Sequence, residues 1–214
     1  MERLTRSWIL WIMLALGVAG MVHWMLYERR VGHASGMLAE SPPTMAIGSD
    51  APPWIDVHGF RYRPLGRISG RVVVVSRKNY SLGEFASFAP TDLAIVWGPL
   101  SDPDNYSQFN FDQRGSPLSA RFVVPELKSG TDYSRQPIGE VRAFLLANLT
   151  HVHTIPADPA IASKLAGIRP GQVIRFSGLL VDVMSPANVR YTSSLALHDY
   201  NCEIAWIDEL ELGA

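Results

Sequence analysis

Residues 155–183 read IPADPAIASKLAGIRPGQVIRFSGLLVDV, and the local signals in this stretch decide the fold. Asp158 is a residue type that caps helix N-termini, and Pro159 suits the first helical position. Gly167 suits the left-handed residue that ends a helix. The first half of the stretch therefore predicts one short helix over 159–166.

The second half of the stretch predicts a turn and a long strand. Pro170 presets the backbone for a type II turn, and Gly171 accepts the positive φ that such a turn requires. The apolar, β-branched run at 173–183 that follows is typical of a strand, and Gly178 predicts a bend within it. A short helix followed by a long curved strand favours a small twisted barrel or sandwich over a Rossmann domain.

The flanking sequence extends this β pattern in both directions. A second short helix is predicted at 137–146, where Val141, Phe144 and Leu145 share one face. Further strands are predicted at 68–75, 93–98, 107–112, 121–124, 189–197 and 202–212. The sequence thus predicts a mainly β (α+β) domain over 58–214, in a partly open barrel or sandwich with two short helices.

The N-terminus carries an apolar run of bilayer length. Residues 8–27 read WILWIMLALGVAGMVHWMLY and contain no Asp, Glu, Lys or Arg. This composition predicts a transmembrane helix in contact with the lipid bilayer, after a short tail at 1–7. A cleaved signal peptide is the alternative, since residues 18–20 are small. Because the tail is short, we expect a single-pass protein whose C-terminal domain lies outside the cytoplasm.

A linker is predicted between this helix and the β-rich domain. Residues 28–57 are rich in Gly, Ser, Ala and Pro and show no periodicity. Such a composition is typical of a flexible tether.

Charge and cysteine content restrict the possible functions. The formal net charge is -1, and it stays negative when residues 1–30 are left out. Nucleic-acid binding rests on clustered Lys and Arg, so we expect no nucleic-acid partner. Cys202 is the single cysteine of the sequence, which excludes an intrachain disulfide.

Several blocks, taken in order, resemble a group of uncharacterised bacterial proteins that are membrane-anchored or exported. They include GRVVVVSR at 70–77, DLAIVWG at 92–98, GQVIRFSGLLV at 171–181 and Cys202-Glu203. The group has no known activity, so the resemblance implies no catalytic residue. It implies a bacterial cell-envelope protein of the cytoplasmic (inner) membrane, and the glycine pattern at 171–181 is similar to strands of OB-like barrels.

Candidate site residues gather around two histidines. His151 and His153 alternate along an extended segment, so both imidazoles lie on one side, at a spacing that a metal site can use. A third ligand would come from one of four residues: His58, His198, Asp199 or Cys202. His198 and Cys202 also suggest a cysteine nucleophile with a histidine base. The alternatives left open are histidines that cap backbone groups and a buried structural cysteine.

The acidic residues near the C-terminus are predicted to form a solvated strand face; they are Asp199, Glu203, Asp208, Glu209 and Glu211. No catalytic, cofactor or metal residue is assigned from the sequence, and a non-enzyme is favoured. The preferred hypothesis is a non-catalytic interaction module with a protein partner in the cell envelope. The alternative is an envelope metal-binding protein or hydrolase that uses His151, His153, His198 and Cys202.

Overall fold

Strands dominate the structure, and short helices connect them. The computed structural model describes residues 2–48, 53–115, 122–197 and 201–213, and within them the chain is mainly β. The strands are β1 (Thr44–Ile47), β2 (Ile55–Val57), β3 (Phe60–Asn79), β4 (Thr91–Val96), β5 (Phe109–Arg114), β6 (Phe122–Leu127), β7 (Leu149–Pro156), β8 (Val173–Met184), β9 (Arg190–Tyr191) and β10 (Glu203–Leu212). The helices are α1 (Glu2–Glu28), α2 (Glu84–Phe88), α3 (Pro103–Tyr106), α4 (Ile138–Asn148) and α5 (Pro159–Gly167), with 3-10 turns at Gly98–Ser101 and Tyr133–Arg135.

Five of these strands pair in a closed ring. The order is β3, β4, β7, β10 and β8, and β8 pairs with β3 again. The β7–β10 pair is parallel, and the other four pairs are antiparallel. Ring closure corrects the prediction of a partly open barrel.

The length of β3 closes the ring. Residues 61–73 pair with β8, and residues 73–79 pair with β4, so one strand forms two walls. The register shifts between Pro64 and Gly66 and again between Val74 and Ser76, and such bulges bend a strand. The sequence predicted a strand only over 68–75, because the β-branched run that indicates a strand lies there.

Smaller elements cover the ring. β1 and β2 pair with β3, β9 pairs with β8, and β5 and β6 form a separate hairpin. Phe109 and Phe111 of this hairpin belong to the same apolar cluster as Val72, Ile95 and Leu180 of the barrel, which fixes the hairpin against the ring. Helix α5 contacts both β7 and β10.

Both predicted helices are present, as α4 and α5. Asp158 caps α5, because its side chain accepts a hydrogen bond from Ile161 N at 2.8 Å. The end of α5 differs from the prediction, since Gly167 is the last helical residue and has no positive φ. The C-cap is the next residue, Ile168, with φ -59. The predicted strand at 189–197 is reduced to β9. Helices α2 and α3 are too short for a periodic pattern, so the sequence did not predict them.

The N-terminal helix requires a correction. Helix α1 covers the predicted segment 8–27, but among the described residues no helix is long and apolar enough to cross a membrane. The predicted transmembrane helix is therefore not supported.

The segment predicted as a tether makes ordered contacts with the barrel. Val31 N donates to Pro170 O at 2.8 Å, and Gly98 N donates to the carbonyl of Ala39 at 2.7 Å. Ala39 is buried, and its neighbours at 44–47 form β1 on the edge of β3. These contacts hold residues 31–47 along the barrel wall.

Candidate functional site

Strand β7 places two histidines on the outer wall of the barrel. Val152 and Thr154 face the barrel interior together with Ile95. His151 and His153 alternate with them and therefore point outward, where other elements cover them and leave both buried. Their ring centroids lie 4.9 Å apart. The structure thus places the two imidazoles on one side of the strand, as the sequence predicted.

Cys202 joins this pair through the parallel β7–β10 pairing. Glu203 is the register partner of Val152, so the preceding residue, Cys202, lies beside His151. The Sγ atom of Cys202 is 3.2 Å from Nδ1 of His151. One donor atom from each of His151, His153 and Cys202 lies within 4.8 Å of the other two. We call these three residues the triad.

Asp92 supports the triad from the other neighbouring strand. It is the register partner of His153 in the β4–β7 pair and is fully buried. Its Oδ1 accepts a hydrogen bond from His153 Nδ1 at 2.7 Å, and its Oδ2 lies 3.7 Å from His151 Nε2. A proton on Nδ1 of His153 leaves the lone pair on Nε2, so the carboxylate selects the tautomer of this ring.

Gln113 of β5 selects the tautomer of His151 in the same way. Its Oε1 lies 3.4 Å from His151 Nε2, while its own amide donates to the Asp92 carbonyl at 3.5 Å. A proton shared with Gln113 leaves the Nδ1 lone pair of His151 on the side of Cys202. Burial and the neighbouring His153 lower the pKa of His151 well below 6.5. The ring is therefore neutral at physiological pH, as a metal ligand must be.

Glu203 corrects the prediction of a uniformly solvated acidic face. It is fully buried, and one of its oxygens accepts a hydrogen bond from Thr150 Oγ1 at 2.6 Å. Asp208, Glu209 and Glu211 behave as predicted, since Ser177 and Arg67 bind Asp208 at the surface and Glu209 and Glu211 are exposed. Among the members of this acidic set that the structure describes, Glu203, next to Cys202, is the exception.

Two cavities reach the triad from different directions. One, of about 350 Å³, lies between the β5–β6 hairpin and α4 and includes His151 and Cys202 in its lining. The other, of about 470 Å³, is lined by His153, Cys202 and residues 191–195. Cys202 is half-buried and borders both. A group bound at the triad would therefore be accessible from outside.

The structure separates the predicted site residues into three groups. It brings His151, His153 and Cys202 together. His58 lies in the exposed turn between β2 and β3 and is not part of this cluster. His198 and Asp199 lie outside the described residues.

Two buried polar residues near the triad, Asp92 and Gln113, were missed from the sequence. Glu203 was named in the acidic set, but its burial was not predicted. The predicted strand at 93–98 began one residue after Asp92, although Asp92 lies inside β4. A polar residue inside an apolar strand is the signal that could have found it.

Comparison with known proteins found no relative of this chain. No protein-family model, no curated protein and no solved structure matches the chain.

Proposed function

We propose that the protein binds one zinc ion through His151, His153 and Cys202. The observation that carries this proposal is the convergence of two imidazoles and one thiol, with donor atoms within 4.8 Å of one another. Imidazole nitrogen and cysteine sulfur are the ligands that zinc takes most often in proteins.

The spacing of the donor atoms fits such an ion. Zinc binds nitrogen at ~2.0 Å and sulfur at ~2.3 Å, so tetrahedral ligands lie roughly 3.5 Å from one another. The separation between His151 Nδ1 and Cys202 Sγ is 3.2 Å. Small side-chain rotations would bring the three donors into coordination.

The surroundings also have the features of a metal centre. A histidine ligand usually donates its second nitrogen to a carboxylate or carbonyl, which fixes the ring and raises its basicity. Asp92 is such a partner for one ring nitrogen of His153, and Gln113 is such a partner for one ring nitrogen of His151. Three protein ligands leave a fourth position for water or substrate, as in catalytic zinc sites.

A cysteine hydrolase is less well supported. The contact between Cys202 and His151 has the geometry of a nucleophile and its base. That chemistry requires an imidazolium beside a thiolate, whereas burial and His153 lower the pKa of His151 well below its usual value. A zinc centre needs the neutral ring.

The remaining functional hypotheses stay predictions. The interaction module with an envelope protein partner and the location in the bacterial envelope are among them.

Metal analysis of the full chain tests the zinc proposal. We expect about one zinc ion per chain after exposure to zinc and removal of the excess. The double variant His151→Gln/His153→Gln should retain less than roughly a tenth of this, and Cys202→Ala should remove the thiolate-to-metal band of the cobalt-substituted protein. The control His58→Asn changes an exposed histidine that lies outside the triad. A folded wild-type chain that retains no zinc under these conditions would overturn the proposal.

A further inference from the structure

The cavity between the β5–β6 hairpin and α4 has both an apolar wall and a polar part. Most of its wall is aliphatic and comes from the hairpin and from residues such as Val141 and Leu145 of α4. The polar groups in the same lining come from Arg142, Thr150, His151, Asn201 and Cys202. The cavity therefore joins an apolar chamber to two of the three residues of the triad.

The size of the chamber suits a short aliphatic chain. Its volume is about 350 Å³. An engineered apolar cavity of ~150 Å³ holds benzene, so this chamber has room for a ligand of roughly fourteen non-hydrogen atoms. Ligand sites of this kind combine apolar walls with a few polar groups that orient the ligand.

The rim of the chamber exposes large apolar side chains. Ile138 at the start of α4 is 77% exposed, and Phe122 at the start of β6 is 54% exposed. Exposed apolar groups at the mouth of an apolar chamber mark a surface on which an apolar ligand gains contact area. These residues are independent of the triad and point to the same type of ligand.

We infer that this chamber binds the aliphatic tail of an amphiphile whose oxygen-bearing head group occupies the open coordination position of the metal held by the triad. The inference rests on the proposed zinc site for the head group and on the chamber for the tail. The ligand class is a medium-length acyl compound, such as a fatty acid or an acyl derivative. A long peptide or a nucleic acid does not fit, since the chamber is small and mostly apolar.

Chain-length dependence of binding tests the inference. Acetohydroxamate and octanohydroxamate share a zinc-binding head and differ by six methylenes. Each buried methylene contributes about a fourfold gain in affinity, so burial of half of them predicts binding at least ~50-fold tighter for the longer probe. The measurement is calorimetric titration of the zinc-loaded full chain, after its metal content has been determined.

Two variants separate the tail site from the head site. Leu145→Trp fills the chamber from a half-buried position on α4, and Ala147→Trp adds the same side chain at an exposed position on the same helix. We expect Leu145→Trp to retain zinc and to lose most of the chain-length preference, with both probes binding within about threefold of each other. Ala147→Trp should behave as the wild type.

Each result decides a different point. Tighter binding of octanohydroxamate that Leu145→Trp abolishes supports the inference. Equal affinity for the two probes in the zinc-loaded wild type overturns the inference and leaves the zinc site in place. A wild-type chain without bound zinc overturns both, because the head group then has no metal to bind.

Discussion

Oδ1 of Asp92 lies 2.7 Å from Nδ1 of His153, and the two residues are register partners across the β4–β7 pair. The backbone pairing of the barrel wall therefore sets the orientation of a proposed metal ligand. Asp92 is fully buried, so its charge acts in a poorly solvated environment.

Replacement of this carboxylate should weaken metal binding without unfolding the protein. Asp92→Asn keeps the volume of the side chain but removes the charge that makes His153 a more basic ligand. Changes of this type lower metal affinity by about 10–100-fold. Competition with a chromophoric chelator measures the effect. Asp112→Asn, at an exposed position on β5, is the control, and equal zinc affinity of the two variants would contradict the assigned role of Asp92.

The stability of the metal-free protein should fall as the pH falls below about 6.5. The folded-state pKa of His151 is lowered, so the unfolded chain takes up a proton that the folded chain does not bind. Stability from this group is fully present above the unfolded pKa and declines below it, by up to ~1.4 kcal/mol per pH unit.

Urea unfolding in the presence of a chelator, at about pH 7.5 and about pH 5.5, measures this decline. His151→Gln should reduce the difference between the two free energies of unfolding. His58→Asn changes an exposed histidine whose φ is 50, a conformation that Asn tolerates, and should leave the difference unchanged. An equal loss of stability in wild type and His151→Gln would refute the link to His151.

Gly171 should tolerate no side chain. Its φ is +87, and a Cβ there would lie 2.3 Å from the carbonyl oxygen of Val31. Gly171→Ala is expected to lower the free energy of unfolding by ~2–4 kcal/mol, from backbone strain together with displacement of the N-terminal segment. Gly130→Ala is the matched control, because φ is +80 there but no atom lies within 4 Å. Gly130→Ala should lower the free energy of unfolding by about 1–2 kcal/mol. An equal loss for both variants would show that the contact with Val31 contributes nothing.

Asp182 should be important for stability, because it is buried between two arginines. Arg63 and Arg190 contact its Oδ2 at 2.6 and 2.7 Å. Asp182→Asn leaves two guanidinium groups without their counter-charge, although both are partly exposed. We therefore expect a loss of about 2–3 kcal/mol in the free energy of unfolding. This is less than the ~3–5 kcal/mol that is lost when one partner of a fully buried ion pair is removed.

Thermal or urea unfolding measures this loss. Arg114 pairs with Glu126 at an exposed site on the hairpin, so Arg114→Gln is the control and should change stability by less than ~0.5 kcal/mol. A loss no larger than that of the control would show that Asp182 is dispensable.

Local signals predicted local structure well in this chain. Asp158 and Pro159 start α5 as expected, because a cap and its helix are encoded within a few residues. The alternation of His151 and His153 likewise predicted that both rings share one side of the strand. By contrast, β3 was predicted too short, since its irregular middle is stabilised by β8, which is distant in sequence.

The complete set of site residues could not be predicted, because it depends on the order of strands in the sheet, and a sequence pattern does not show that order. Asp92 reaches His153 because β4 pairs with β7, and Cys202 reaches His151 because β10 lies parallel to β7. Gln113 comes from a hairpin outside the ring. Burial of Glu203 follows from the same pairing, so its position within an acidic run was misleading.

The double pairing of β3 also has a consequence for the order in which the chain folds. Arg63 and Asp182, which join β3 to β8, are 119 positions apart in the sequence. Loop-closure entropy makes such distant pairings slow to form. During synthesis β3 emerges long before β8, and its N-terminal half waits for its main partner while β4 can pair at once. The barrel is therefore completed only after β8 and β10 have been synthesised, and a ribosome stalled before residue 173 holds a chain in which the edge of β3 that faces β8 is still unpaired.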